Sequence, residues 1–141
     1  MVEPIVLDTN VLFAGLWSRD GASFQVLELI RQGRIRPALS VALVLEYEMV
    51  LKRRAKELKL TPRDIDAVLD HLCAVGHQQL IHYLWRPTLR DPRDELVLEL
   101  AVAAGCSHIV THNVTDFAGA EQFAVRALPP AAYLRHLGVR P

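Results

Sequence analysis

Two cysteines in 141 residues, Cys73 and Cys106, are too few for a disulfide framework. Both lie in apolar stretches, so buried, reduced thiols are expected. Long apolar runs are lacking too: the hydrophobic fraction is 51%, yet no run approaches the ~18–20 residues of a membrane span. The N-terminus has no basic stretch, apolar stretch and small-residue cleavage site of the secretory kind, so a cytoplasmic protein without membrane contact is expected. Charge of one sign is also missing. Sixteen basic and sixteen acidic residues give a formal net charge of zero, which argues against affinity for nucleic acid that is electrostatic over the whole surface. A local basic rim around an acidic centre remains compatible with it. Neither G-x-G-x-x-G nor G-x-x-x-x-G-K-[ST] occurs, which removes the glycine-rich phosphate loops of nucleotide binders. No linker, repeat or low-complexity stretch divides the chain, and 15.8 kDa suits one domain over residues 1–141.

Short apolar runs alternate with helical patterns. Residues 4–8 read as a strand, followed by a helix after Asn10 that breaks at Ser18-Arg19-Asp20-Gly21. From Ser23 to Arg31, Phe24, Leu27 and Ile30 recur at helical spacing, and Gly33 stops the pattern. Arg36–Leu39 reads as a strand, and Ser40 caps a long helix reaching about Leu58. Thr61-Pro62-Arg63-Asp64 is a capping box with proline at the first helical position, opening a helix to about Val75. Residues 79–82 read as a strand, and a loop at Trp85-Arg86-Pro87 precedes a helix from Asp91-Pro92 to Ala104, closed by Gly105. His108–Val110 and Ala124–Leu128 are strands, and Pro129-Pro130 opens a short last helix. Strand alternating with helix implies parallel pairing with crossovers, an α/β class in which ligands bind beyond the carboxyl ends of the strands.

Four acids, each beside an apolar run and a turn signal, carry the chemistry. Asp8 ends Ile5-Val6-Leu7, Glu46 follows Ser40 in a helix, Asp94 lies in Asp91-Pro92-Arg93-Asp94, and Asp116 closes Val110-Thr111-His112-Asn113-Val114-Thr115. Carboxylates gathered in one place repel and lose hydration, and a hard divalent cation is their natural neutraliser. Each also has an ordinary reading: Asp8-Thr9-Asn10 as a strand-ending turn or helix cap, Asp94 as the third residue of a capping box, Asp116 as a turn cap before Phe117. Periodicity does not choose between Glu46 and Glu48. Lys52, Arg53, Arg54, Lys56 and Lys59 form the densest basic cluster, either a solvated helix end or a phosphate-contacting rim. A zinc site from Cys106, His108 and His112 lacks a fourth ligand at the usual spacing. A phosphatase of the haloacid-dehalogenase type needs a second Asp two residues after the first, where Asn10 stands.

The ordered set Val6-Leu7-Asp8-Thr9-Asn10-Val11-Leu12, Ser40 to Glu46, Asp91-Pro92-Arg93-Asp94 and Val110 to Phe117 resembles the PIN-domain family. Within it, the closer resemblance is to the prokaryotic toxin-like, VapC-related ribonuclease branch. Leu128-Pro129-Pro130 to Leu134 is similar to that family's closing segment. The resemblance implies a Rossmann-like three-layer α/β/α domain with a central parallel sheet and an acidic pocket holding Mg²⁺ or Mn²⁺. It implies that Asp8 and Asp94 are the principal metal ligands and that Glu46, rather than Glu48, and Asp116 complete the catalytic acids. Asn10, Thr111 and Asn113 would support the site, and either Asp116 or Asn113 would complete it. The expected activity is metal-dependent hydrolysis of RNA phosphodiester bonds by the toxin of a toxin–antitoxin pair. A cognate antitoxin and a homodimer are the expected partners, and Arg53 and Arg54 the expected RNA contacts. The alternative is a catalytically silent PIN-like module that binds RNA or a protein. Intact acids at all four positions argue against that alternative.

Overall fold

The computed structural model of the chain describes residues 2–81 and 89–140. Strand β1 (Pro4–Leu7) leads through α1 (Thr9–Trp17) and α2 (Ala22–Arg31) to β2 (Arg36–Leu39). Helices α3 (Val41–Arg53), α4 (Ala55–Leu58) and α5 (Pro62–Val75) precede β3 (His77–Gln78). Then come α6 (Pro92–Ala103), β4 (His108–Val110), two 3₁₀ turns over Val114–Phe117 and Ala120–Phe123, β5 (Arg126–Leu128) and α7 (Pro130–His136). All strands are parallel, in the order β3-β2-β1-β4-β5. Helices cover both faces, giving the three-layer α/β architecture. Helices α1, α2 and α7 pack in sequence on one another, and α3 packs on α5 and α6. Among the described residues no helix is long and apolar enough to cross a membrane.

Local chemistry starts and stops these elements. Ser40 accepts the amide of Leu43 at 3.1 Å to open α3. Thr61 and Asp64 exchange side-chain and backbone hydrogen bonds at the start of α5, the reciprocal capping box expected there. Gly33 and Gly105, with φ of 76° and 69°, supply the left-handed turns that end α2 and α6. The sheet is apolar because both its faces are covered: Ile5, Val6, Leu7, Ala38, Leu39, Ile109 and Val110 are all fully buried.

Three element boundaries depart from expectation. The helix after Ser40 does not run unbroken to Leu58; it breaks at Arg54, where Leu58 is carried into the core on a separate short turn. The strand expected at 79–82 lies earlier, at His77–Gln78, because β2 pairs Ala38 with His77 and Leu39 with Gln78. Leu80 stands outside that ladder and is exposed, while residue 82 and the Trp85-Arg86-Pro87 loop lie outside the described residues. The last strand begins at Arg126 rather than Ala124, since Ala124 takes a left-handed conformation that closes the second 3₁₀ turn.

Candidate active site

The register of the two central strands sets the site. Leu7 of β1 pairs with Val110 of β4, so the residues that follow them, Asp8 and Thr111, emerge side by side at the carboxyl end of the sheet. This is also where the strand order reverses direction from β1, toward β2 on one side and β4 on the other. Thr111, fully buried, donates its hydroxyl to Asp8 Oδ2 at 2.7 Å, and the Thr9 amide donates to Oδ1 at 2.9 Å. The Asn10 amide nitrogen donates to Oδ2 at 3.3 Å. Asp8 thus caps α1, as its ordinary reading has it, and is oriented by three donors at once. Burial still holds its carboxyl above the usual range, against the pull of Thr111 and Thr9, and the charge of Asp116 adds to the rise.

Further contacts fix the supporting residues. The amide of His112 donates to Asn10 Oδ1 at 3.2 Å, and the amide of Asn113 donates to Thr111 Oγ1 at 3.0 Å. His112 Nε2 is hydrogen-bonded to Ser23 Oγ at 2.9 Å, tying this loop to α2. The Tyr47 hydroxyl, wholly buried, donates to the carbonyl of Leu7 at 2.6 Å and so pins the backbone one residue before Asp8.

Helix α3 distributes its side chains by fours. Leu43, Tyr47 and Leu51 enter the core, whereas Glu46, Val50 and Arg54 face a cavity of about 280 Å³. Glu48 turns elsewhere: Lys52 bridges it at 3.1 Å to Asp66 of α5 at 2.9 Å. From α6, Asp91 accepts the amide of Arg93 at 2.9 Å as the helix cap. Asp94 leaves the cap to Asp91 and lines the cavity, so it does not fill the third position of a reciprocal capping box. Asp8, Asn10, Glu46, Asp94, Asn113 and Asp116 therefore all line one cavity, with Thr111 buried behind Asp8. Asp116 and Asn113 both reach it, so the geometry admits both. Arg54 is on its wall and Arg53 is not.

Electrostatics single out Asp94. Its carboxyl is pushed up to about 6, first by burial and then by the charges of Asp8, Asp91 and Asp116, with Arg93 pulling the other way. Asp91 moves oppositely, held low by the Arg93 amide. Asp8, Asp94 and Asp116 thus sense one another's charge across the cavity. Among the described residues, no three acidic, histidine or cysteine side chains are arranged to hold a metal ion. The four acids come from four separate elements, and the Arg93 guanidinium on the same wall pairs with Asp91 at 3.5 Å. The zinc alternative also fails, because Cys106 and His108 lie at the start of β4 and His112 beyond its end.

The family model for the PIN domain matches residues 4–115. The chain belongs to the PIN-domain family. The match takes in Asp8, Glu46, Asp94 and Asn113 and stops one residue before Asp116. A comparison with curated proteins gives no match. PIN domains are typically nucleases and generally use divalent metals. In this PIN domain Phe13 and Arg93 on the cavity wall, and Tyr47 in the core beneath Asp8, are contributors that the sequence did not single out. A tyrosine within an apolar helix stripe is a weak signal that a buried acceptor awaits its hydroxyl. Arg93, between Asp91 and Asp94, was visible as the sole cation of that acidic segment.

Proposed function

We propose that this PIN domain is a metal-dependent endoribonuclease that hydrolyses RNA phosphodiester bonds with Mg²⁺ or Mn²⁺. The observation that carries the reading is the common cavity of Asp8, Glu46, Asp94 and Asp116 at the carboxyl end of β1 and β4. Its potential ligands among the described residues are all oxygen: the carboxylates of Asp8, Glu46, Asp94 and Asp116, that of Asp91 at the helix cap, the Thr9 hydroxyl and the amides of Asn10 and Asn113, with neither histidine nor cysteine beside them. That donor set suits a hard cation that keeps part of its water shell and asks for few protein ligands. Asp8 and Asp94 would be its principal ligands, with Glu46 and Asp116 acting directly or through water. When bound, such an ion supplies water activation at neutral pH and neutralises charge that develops on the phosphate.

The rest is the work of the chain's own groups. Thr111, Thr9 and Asn10 hold the Asp8 carboxylate in a single orientation. The raised Asp94 carboxyl is the acid that a neighbouring cation relieves most. Arg93, exposed on the cavity wall and held only loosely by Asp91 at 3.5 Å, has guanidinium nitrogens to offer a substrate phosphate. A flexible single strand or loop is the RNA form that can present its phosphate to a recessed pocket. Purified protein with Mg²⁺ or Mn²⁺ should cut defined single-stranded RNAs internally, and Asp8→Asn should abolish turnover while leaving the fold intact. Cleavage that persists in EDTA or in Asp8→Asn overturns the mechanism.

The silent-module reading has one observation in its favour, the lack of a closed ligand set among the described residues. Binding of RNA with no metal-dependent cleavage would establish it. The toxin role rests on the sequence resemblance: induced expression should arrest bacterial growth for the wild type and not for Asp8→Asn, and a cognate antitoxin should relieve the arrest. A homodimer is supported by the exposed stripe Val41, Leu45 and Met49 on α3. A monomeric mass by light scattering removes it.

A further inference from the structure

Arg54 stands where α3 breaks, continuing the stripe of Glu46 and Val50 along the cavity wall. Its guanidinium carbon sits over the Phe13 ring, 3.8 Å from the centroid. Two of its nitrogens, Nε and Nη2, donate to the carboxylate of Glu57 at 3.1 and 2.8 Å. One face and one edge of the plane are therefore occupied, and the side chain is still 44% exposed. A long flexible side chain has been fixed as a flat surface beside the acids.

The pairing also decides what that surface is for. Glu57 takes the Nε–Nη2 edge of Arg54, so the fork that would grip a phosphate with two parallel hydrogen bonds is already occupied. What remains on offer is the plane itself, delocalised and weakly hydrated, of the kind on which nucleobases stack. Neighbouring Arg53 has neither the ring nor a place on the cavity wall.

We infer that Arg54, held flat by Phe13 and Glu57, is a stacking platform for a base of single-stranded RNA next to the reactive phosphate. The inference builds on the ribonuclease reading and assigns the substrate a base-contacting subsite at that same cavity. It differs from the simpler expectation that Arg53 and Arg54 together grip flanking phosphates.

The test measures equilibrium binding in EDTA, where no cleavage is expected, using a fluorescent single-stranded RNA and a ribose-phosphate oligomer of equal length without bases. Two variants are compared with wild type. Arg54→Ala in a Glu57→Ala background removes the pair without changing net charge, and Arg54→Lys keeps the cation but loses the plane. Both should bind RNA about tenfold more weakly, within the usual range for one base stack. Neither should differ from wild type on the base-free oligomer, and the slope of log affinity against log salt should stay unchanged. If both oligomers lose affinity equally in the double variant, with the slope falling by about 0.7, Arg54 grips a phosphate and the platform is overturned. Unchanged RNA binding in both variants overturns any contact. Wild-type cleavage with Mg²⁺ is scored separately: stacking without cleavage would sink the nuclease reading and leave the platform standing.

Discussion

Replacing Asp94 with asparagine should stabilise the metal-free protein near neutral pH and leave it unchanged in acid. The folded chain raises this carboxyl from 3.8 to about 6, a shift of about two units, and each unit corresponds to about 1.4 kcal/mol. Taken at face value the penalty for ionising Asp94 would be about 3 kcal/mol, but the group is only partly buried and solvent screening reduces this to about 1 kcal/mol. The sign follows from proton counting. Between the unfolded and folded values the native state binds more protons, so stability falls as pH rises through that window. The penalty is absent below the unfolded value and complete above about 6. A neutral amide at this position carries no such penalty, so thermal melts of wild type and Asp94→Asn in EDTA should coincide at about pH 4 and separate by roughly 3 °C in favour of the variant at about pH 7.5. Comparing the two pH values cancels whatever the exchange does to packing. Millimolar Mg²⁺ should raise the wild-type melting temperature and not that of the variant, because only the native acids gain from the ion. A melting-temperature difference that does not shift in favour of the variant between about pH 4 and about pH 7.5 refutes the reasoning.

Two further outcomes follow from close contacts, one behind Asp8 and one between α5 and β2. Thr111→Val removes the hydroxyl that reaches Asp8 at 2.7 Å and accepts the amide of Asn113; it should cost about 1.5–3 kcal/mol in urea unfolding at neutral pH. The Asp8 carboxyl should rise further in that variant, readable by carboxyl NMR titration, and a fall instead would contradict the assigned hydrogen bond. Gly76→Ala should destabilise by about 1–3 kcal/mol. An added Cβ there would lie 2.7 Å from the carbonyl oxygens of both Leu72 and Pro37, where α5 meets β2, and a neutral urea midpoint would show that this approach can relax.

What the sequence made legible was what neighbouring residues decide. Ser40, Thr61-Pro62 and Gly105 mark their boundaries because caps and left-handed turns are local chemistry. The α3–α4 break has no proline or glycine at Arg54 to announce it, and it accompanies the burial of Leu58 against a core assembled from elsewhere. The strand at His77–Gln78 lacks any apolar run of its own, being defined by pairing with β2, while Leu80-Ile81 imitates a strand and lies past the ladder. The site divides in the same way. Asp8 and Asp94 could be marked by their strand-end and helix-start contexts. Periodicity did not separate Glu46 from Glu48, and only the family resemblance favoured Glu46; in the fold Lys52, bridging to Asp66 of α5, draws Glu48 to that side. Arg53 and Arg54 read alike as neighbours in a basic run, yet it is Arg54 that lies on the cavity wall, over the ring of Phe13, forty-one positions away in sequence.

That Asp8 both caps α1 and faces the cavity changes how inactive variants must be interpreted. Alanine there would remove the helix cap along with the carboxylate, at about 1 kcal/mol, whereas asparagine keeps a comparable cap. A dead Asp8→Ala protein would therefore confound chemistry with folding, and Asp8→Asn is the exchange that separates them. The same asymmetry bears on descent. A lineage that abandoned hydrolysis while retaining the fold has an easy exit at this position through asparagine, which keeps the cap that alanine loses. Among PIN domains that only bind, asparagine should accordingly stand here more often than alanine.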